Sequence, residues 1–281
     1  GRHEVDTDVD SIAGYVTGKR VLVTGAGQPL VLVHGVGMDL DMWAPLTRHL
    51  AMHFQVIAYD MIGHGQSRKP IGPYRLSDFV DQLGRVAQAL DLGRFSLLGF
   101  SMGGLVAQGF AARQDAQLER LFLLNTVYRR SEAERQAIAV RVGAVLGGGF
   151  ADSVEAALMR WFTSAFAAAH PDILSSVRQH MLSNDLPAYA AAYRVFATAD
   201  AELADTAPTI RTPALVMTGS DDQRSTVAMA TALAADLPNG HLVILPEQRH
   251  LTPFECPDAI ADHILDFTSA GRVANAEVRH G

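Results

Sequence analysis

The chain has 281 residues, of which 48% are hydrophobic and 19% charged, and its formal net charge is −7. That length and composition describe a globular protein with a sizeable core, either one large domain or a domain with an insertion. The acidic balance, with no basic cluster, argues against a nucleic-acid partner, and no uninterrupted apolar stretch reaches the roughly 18 residues of a membrane span, so no membrane partner is expected.

In chain order, Gly1 to Ser11 is a polar, acidic tail without the hydrophobic segment of a signal peptide. Tyr15-Val16 and Arg20 to Thr24 flank Thr17-Gly18-Lys19 and predict a hairpin. Apolar, β-rich runs follow at Leu30 to His34, Phe54 to Asp60, Phe95 to Phe100, Leu121 to Asn125, Ala214 to Thr218 and His241 to Leu245. Their near-continuous apolarity suits strands buried on both faces of a parallel sheet. Leu76, Phe79, Val80, Leu83, Val86 and Leu90 keep helical spacing on one face. The pattern predicts a doubly wound, mostly parallel α/β sheet of eight strands with an antiparallel start.

The rhythm breaks between Asn125 and Ala214, where roughly 85 residues stand in place of one crossover helix. They read as helices. Val154, Leu158, Trp161, Ala165 and Phe166 share a stripe, Ile173, Val177 and Met181 a second after Pro171, and Tyr189, Tyr193 and Phe196 a third after Pro187. Gly147-Gly148-Gly149 separates the first helical stretch from the second. The expected organisation is a core of residues 12–127 and 208–270, an inserted helical lid (cap) of residues 128–207, and tails at 1–11 and 271–281.

The chemistry centres on Gly99-Phe100-Ser101-Met102-Gly103, a Gly-x-Ser-x-Gly element between a strand-like run and an apolar helical run. A serine on so sharp a turn stands clear of the sheet, because glycines on either side lack the β-carbons that would clash, and Ser101 reads as a nucleophile. A serine hydroxyl needs a base, itself oriented by a carboxylate. Of 11 histidines, His250 lies in the loop directly after a strand, where catalytic groups of open α/β sheets collect. His241 precedes that strand, and His263 shares a helical face with Ile260, Ile264 and Phe267, as a core histidine would. The acid is expected from Thr218-Gly219-Ser220-Asp221-Asp222; Asp222 reaches further from its strand and is preferred, with Asp221 the alternative. Asn125 ends another strand, but its amide cannot supply the charge that stabilises an imidazolium. The backbone N–H groups of Met102 and of Val36, in His34-Gly35-Val36-Gly37, are the expected oxyanion hole, with His34 bracing that loop.

Other signals point to scaffold. Asp60, Gly63, His64, Gly65 and Ser67 form a tight turn. Gly25-Ala26-Gly27 lacks the third glycine and following helix of a dinucleotide site, and no Cys/His/carboxylate grouping has metal-ligand spacing. No cofactor is implied. The single cysteine, Cys256, reads as a packing residue and fits a reducing cytoplasm, the expected location.

Together, His34-Gly35, Asp60-x-x-Gly63-His64-Gly65-x-Ser67, Gly99-x-Ser101-x-Gly103, Gly219-x-x-Asp222 and Arg249-His250 resemble, in order and spacing, the α/β-hydrolase superfamily. The likeness runs from about Tyr15 to Phe267 and is closest to the serine esterase, enol-lactonase and carbon–carbon-bond hydrolase branch. It implies a lid inserted after the sixth strand, where the helical stretch begins. The expected function is hydrolysis of a small carboxylic ester or lactone through an acyl-enzyme. Cleavage of an activated carbon–carbon bond or an amide is one alternative, and a ligand sensor that keeps the triad is another. Trp161, Phe162, Phe166 and Tyr189 are expected to bind substrate, joined by Tyr193 and Phe196 over an apolar pocket, whereas Arg129, Arg130 and Arg194 are candidates for a substrate carboxylate that read first as solvated lid surface. The expected partner is a small molecule, with a homodimer left open.

Overall fold

In the computed structural model, which describes residues 2–5 and 21–278, the apolar runs pair into one eight-stranded sheet. The strands are β1 (Arg2–Val5), β2 (Val21–Thr24), β3 (Gln28–Val33), β4 (Phe54–Tyr59), β5 (Phe95–Phe100), β6 (Leu118–Leu124), β7 (Ala214–Gly219) and β8 (Gly240–Leu245). They lie in the order β1-β2-β4-β3-β5-β6-β7-β8. β2 runs antiparallel to both β1 and β4, and every later pairing is parallel. The fold is therefore the doubly wound, mostly parallel one expected. The Tyr15-Val16 arm and the turn of the proposed hairpin lie outside the described residues. Two corrections fall at the ends. Arg2–Val5, read as tail, is an edge strand, and the last helix, running to Val278, enters the stretch from 271 that was also read as tail. Arg2-His3-Glu4-Val5 has a single apolar residue, too little alternation to read as a strand in the sequence.

Burial explains the sequence pattern. All six residues of β5 are buried, and neighbours in a strand enter opposite layers. Val31, Val33 and Leu97 join the layer formed by α2 (Leu76–Ala89) and α3 (Met102–Gln114); Leu30, Leu32 and Leu98 join the layer of α1 (Ala44–Leu50) and the last helix (Pro257–Val278). α2 shows the predicted face, with Leu76, Phe79, Val80, Leu83 and Val86 buried.

Between β6 and β7 the chain inserts α4 (Glu132–Ala144), α5 (Phe150–Trp161), α6 (Ser164–Ala169), α7 (Pro171–Leu182) and α8 (Leu186–Glu202). Their starts are written locally. Ser131 and Glu134 form a reciprocal capping box on α4, Thr163 and Asp185 cap α6 and α8, and Pro171 opens α7 at a position that needs no N–H. Gly147-Gly148-Gly149 separates α4 from α5, as expected, at a kink where Gly148 takes a non-helical φ of 101°. Across this kink, Glu132–Trp161 contains an 18-residue window with a mean hydropathy of 1.4, as apolar as a membrane-crossing helix. It also bears Glu134, Arg141, Asp152 and Glu155, and it packs against α7 and α8.

The register of α3 against the sheet depends on glycine. A Cβ on Gly103 would lie 2.1 Å from the Val33 carbonyl oxygen, whereas one on Gly84, inside α2, would meet nothing nearer than Phe110 at 3.9 Å. The same substitution should therefore have opposite signs at the two sites. Gly84→Ala should raise stability by about 0.5–1 kcal/mol through helix propensity, and Gly103→Ala should lower it by about 2–3 kcal/mol or more. Urea midpoints of the two variants would read both, and a Gly103→Ala protein as stable as wild type would contradict the close approach.

Candidate active site

Ser101 sits between the end of β5 and the start of α3 with φ 53° and ψ −116°, a conformation costly for any residue but glycine. The surroundings hold it there. Its N–H donates to the Leu124 carbonyl at 2.9 Å, and its own carbonyl accepts from the Gly104 N–H at 2.9 Å and the Thr126 hydroxyl at 2.8 Å. A Cβ on Gly99 would lie 2.1 Å from the Gly103 carbonyl oxygen, so only glycine lets strand and helix meet this tightly beside the serine.

The loop after β8 brings His250 Nε2 to 3.2 Å from Ser101 Oγ, and its Nδ1 to 2.6 Å from Asp222 Oδ2. A carboxylate only accepts, so the Nδ1 proton points at Asp222, and Nε2 is left as the acceptor for the serine hydroxyl. Asp222 is 6% exposed, and both of its oxygens are used. Oδ1 accepts from the Arg224 and Ser225 N–H groups at 3.0 Å each, and Oδ2 accepts from Asn125 Nδ2 at 2.9 Å as well as from His250. Asp221 is exposed, and a hydroxyl donor from Ser220 contacts it at 3.3 Å. Of the two candidate acids, Asp222 is the one that faces His250.

Asn125, set aside in the sequence as a strand end without charge, has a place of its own. It is fully buried at φ 47°. Its amide donates to Asp222 and to the Arg249 carbonyl, 3.2 Å away, while its Oδ1 accepts from the Thr252 hydroxyl at 2.7 Å. An amide both donates and accepts, and this position uses both capacities.

Val36 lines the cavity beside Ser101, and Met102 opens α3, where the first N–H groups have no acceptor within the helix. The loop that carries Val36 is braced by His34, whose Nδ1 donates to the Gly35 carbonyl at 2.8 Å and whose Nε2 accepts from the Met61 N–H at 2.9 Å. Only a neutral ring can do both. Complete burial enforces that state, pushing the pKa of His34 to about 3; burial and the neighbouring His34 do the same for His64, also to about 3. Asn184, at the junction of α7 and α8, donates to the Gly37 carbonyl at 2.8 Å.

The His250 loop is tied to the inserted helices on the other side. The Trp161 carbonyl, at the end of α5, accepts from the His250 and Leu251 N–H groups, both at 3.1 Å. Arg249 Nη1 donates to the Met159 and Phe162 carbonyls at 2.9 Å each, a cation on the negative end of α5. Glu255, in the short helix Thr252–Glu255, accepts from the Thr163 N–H at 2.9 Å and from its hydroxyl at 2.6 Å.

Ser101, His250 and Asp222 open onto a cavity of about 400 Å³. Trp161, Tyr193 and Phe196 line it as expected, and Ile138 was missed. Phe162 and Phe166 are corrections. Phe162 is 1% exposed and stacks on Phe166 at 5.4 Å and against Phe254 at 6.2 Å, which cements the inserted helices to the core. Tyr189 stacks on Tyr193 and lines an adjoining chamber instead. Arg141, Arg160 and Arg224, unmarked in the sequence, also line the cavity. Burial lowers the pKa of Arg160, and its Nε has no hydrogen-bond partner among the described residues. Arg130, read as solvated, is buried: it pairs with Asp200 at 2.8 Å and lies over the Phe196 ring. Arg129 donates to the Ala204 carbonyl, and Arg194 is exposed. His241 is exposed on Phe267 and His263 is half-buried, both away from this cavity. Cys256 is buried, its thiol pushed up to about 12 by desolvation and then by Glu255 and Asp258, which suits packing and not nucleophilic attack.

The alpha/beta hydrolase fold family matches this chain over residues 28–257. An (E)-2-((N-methylformamido)methylene)succinate hydrolase from Acinetobacter baylyi is 36% identical over 84% of this chain and 88% of its own length. The 3-oxoadipate enol-lactonase 2 of the same organism is 29% identical over 82% of this chain and 84% of its own. Among solved structures, the enol-lactonase from Burkholderia xenovorans LB400 superposes with a TM-score of 0.84 at 29% identity, covering 95% of this chain and 100% of that one.

The neutral His34 and His64 tie stability to pH. Unfolded histidines bind protons below about pH 6.5, whereas these two stay neutral in the folded protein down to about pH 3. The unfolded state then binds more protons, so stability is full above pH 6.5 and falls as pH drops below it, by about 1.4 kcal/mol per histidine per pH unit. Urea midpoints should decline from pH 7 to pH 5, and His64→Gln should flatten that slope; a slope unchanged by the substitution would rule out His64 as a source.

Proposed function

The chain belongs to the α/β-hydrolase family and is a hydrolase, and we propose that it cleaves a small carboxylic ester or lactone through an acyl-enzyme on Ser101. The observation that carries this reading is the hydrogen-bond chain from Asp222 through His250 to Ser101, with steps of 2.6 and 3.2 Å, at the wall of a cavity large enough for a small molecule. His250 Nε2 takes the serine proton as Oγ attacks the carbonyl carbon, and Asp222 holds the ring in the tautomer that can accept it. The Met102 and Val36 N–H groups stabilise the oxyanion. His250 then protonates the leaving alkoxide, and a water activated by the same nitrogen releases the acid. Residues 128–207 act as a lid that excludes bulk water and selects substrate.

Four arginines line this cavity; Arg130 is paired with Asp200 and Glu134 is engaged in the cap of α4, and the guanidinium groups of Arg141, Arg160 and Arg224 support a substrate that carries a carboxylate. The names of the succinate hydrolase and 3-oxoadipate enol-lactonase agree with that chemistry. Hydrolysis of an activated amide is the second reading, favoured by the formamido group in the name of the 36% identical relative. It uses the same residues, with His250 protonating a nitrogen leaving group.

Ser101→Ala should fold normally and lose esterase activity by several orders of magnitude, and a fluorophosphonate should label Ser101 alone. Labelling of another residue, or wild-type turnover by the alanine variant, would discard the nucleophile. Turnover well beyond one event per site separates the hydrolase from a sensor. Asp222→Asn should lower kcat by about 10⁴, far more than Asp221→Asn, because it strands His250 in the wrong tautomer. Arg160→Gln should raise KM at least tenfold for the nitrophenyl monoester of a dicarboxylic acid and change KM for nitrophenyl acetate far less; equal effects on both esters would contradict an anion site.

A further inference from the structure

A second cavity, of about 380 Å³, lies within the inserted helices next to the first. Arg141, Arg160, Trp161 and Tyr193 line both, so two guanidinium groups and two aromatic rings form the neck between them. Beyond the neck the inner wall is made of small and apolar residues, Val154 and Met181 among them, and the one carboxylate, Asp152, stands at the exposed rim. Ser153 and Ala157 stand one turn apart on α5, Gly149 ends the bend that swings α5 away from α4, and Tyr189 closes the side toward α8.

The chamber opens to solvent on one side, where Ala144, Asp152 and Ala156 are exposed, and its volume is well above the roughly 150 Å³ that already admits benzene. Its boundary is also unusual, because Arg160 offers a partly desolvated Nε–H with no acceptor among the described residues. A buried donor left unmade costs about 1–3 kcal/mol, a penalty that an anion at the neck removes. The neck thus fits a carboxylate, and the chamber behind it fits something apolar and as broad as a ring.

We propose that this rear chamber is a second substrate compartment, and that the enzyme acts on monoesters or lactones of dicarboxylic acids bearing an apolar substituent of about phenyl size. The scissile carbonyl lies at Ser101, the free carboxylate between Arg141 and Arg160, and the substituent beyond them. This rests on the ester-hydrolase reading for its chemistry, but the chamber itself is tested by binding.

Binding of succinate and of 2-benzylsuccinate to the whole protein can be followed by calorimetry. Wild type should bind 2-benzylsuccinate at least tenfold more tightly than succinate. Ala157→Phe, which fills the chamber, should abolish that preference, and Ser153→Leu, at a half-exposed position tolerant of change, should reduce it at least threefold. Equal affinity of wild type for the two acids, or a preference untouched by both substitutions, overturns the compartment. Hydrolysis of the two nitrophenyl monoesters is scored separately. Preferential binding of the benzyl acid without turnover of either ester keeps the compartment and sinks the ester reading, whereas turnover with no benzyl preference does the reverse.

Discussion

A buried carboxylate with no spare acceptor capacity organises this end of the molecule. Asp222 takes N–H donors from its own loop, from Asn125 at the end of β6, and from His250 beyond β8. Removing an ionised carboxylate from water is affordable only when it is fully hydrogen-bonded, and loss of any one donor leaves a desolvated charge. Three strand ends must therefore arrive together. The parallel pairing of β6, β7 and β8 does that, since neighbouring strands in one register end at one edge. Asn125 and Thr252 extend the network to both sides of the histidine loop, so its position is fixed by side chains as well as by backbone.

The opposite side of the serine is governed by a second constraint, the absence of atoms. Glycines at 99 and 103 let α3 press against β3 and β5, and the strained serine backbone is held because its N–H and C=O both find partners in β6 and the turn after it. Neutral His34 and His64, edge to face at 4.9 Å, complete a dry support under the Val36 loop. Both devices stiffen the backbone around one hydroxyl, and neither touches the cavity where a substrate would lie.

How much of this was legible in the sequence follows from the kind of signal each feature leaves. Ser101, Asp222 and His250 stand in the turns and loops that follow apolar runs, so strand topology alone brings them to one edge. The α2 face was legible because a helix buried on one side repeats every three or four residues. Phe162 and Phe166 were misplaced because an apolar stripe records burial, not what it is buried against; they face Phe254 instead of the cavity. Arg141 and Arg160 were missed because an arginine on a helix reads as solvated until its neighbours are known. Buried Arg130 could have been paired with Asp200 only by knowing that the loop after β6 lies against α8. Asn125 was discounted for lacking charge, although an amide's paired donor and acceptor were what the site required.

The joint between α5 and the histidine loop has a consequence for how such proteins can diverge. Arg249, Glu255 and the backbone N–H of His250 all terminate on residues 159–163, so the His250 loop takes its position partly from the insertion. The insertion is therefore not a freely exchangeable cassette. A helical segment grafted from another protein would have to end α5 at the same height and present the same carbonyls, or be transplanted together with the segment from 249 to 255. Evolution of new specificity is channelled toward substitutions within α4, α5 and α8 and away from wholesale replacement of their junction.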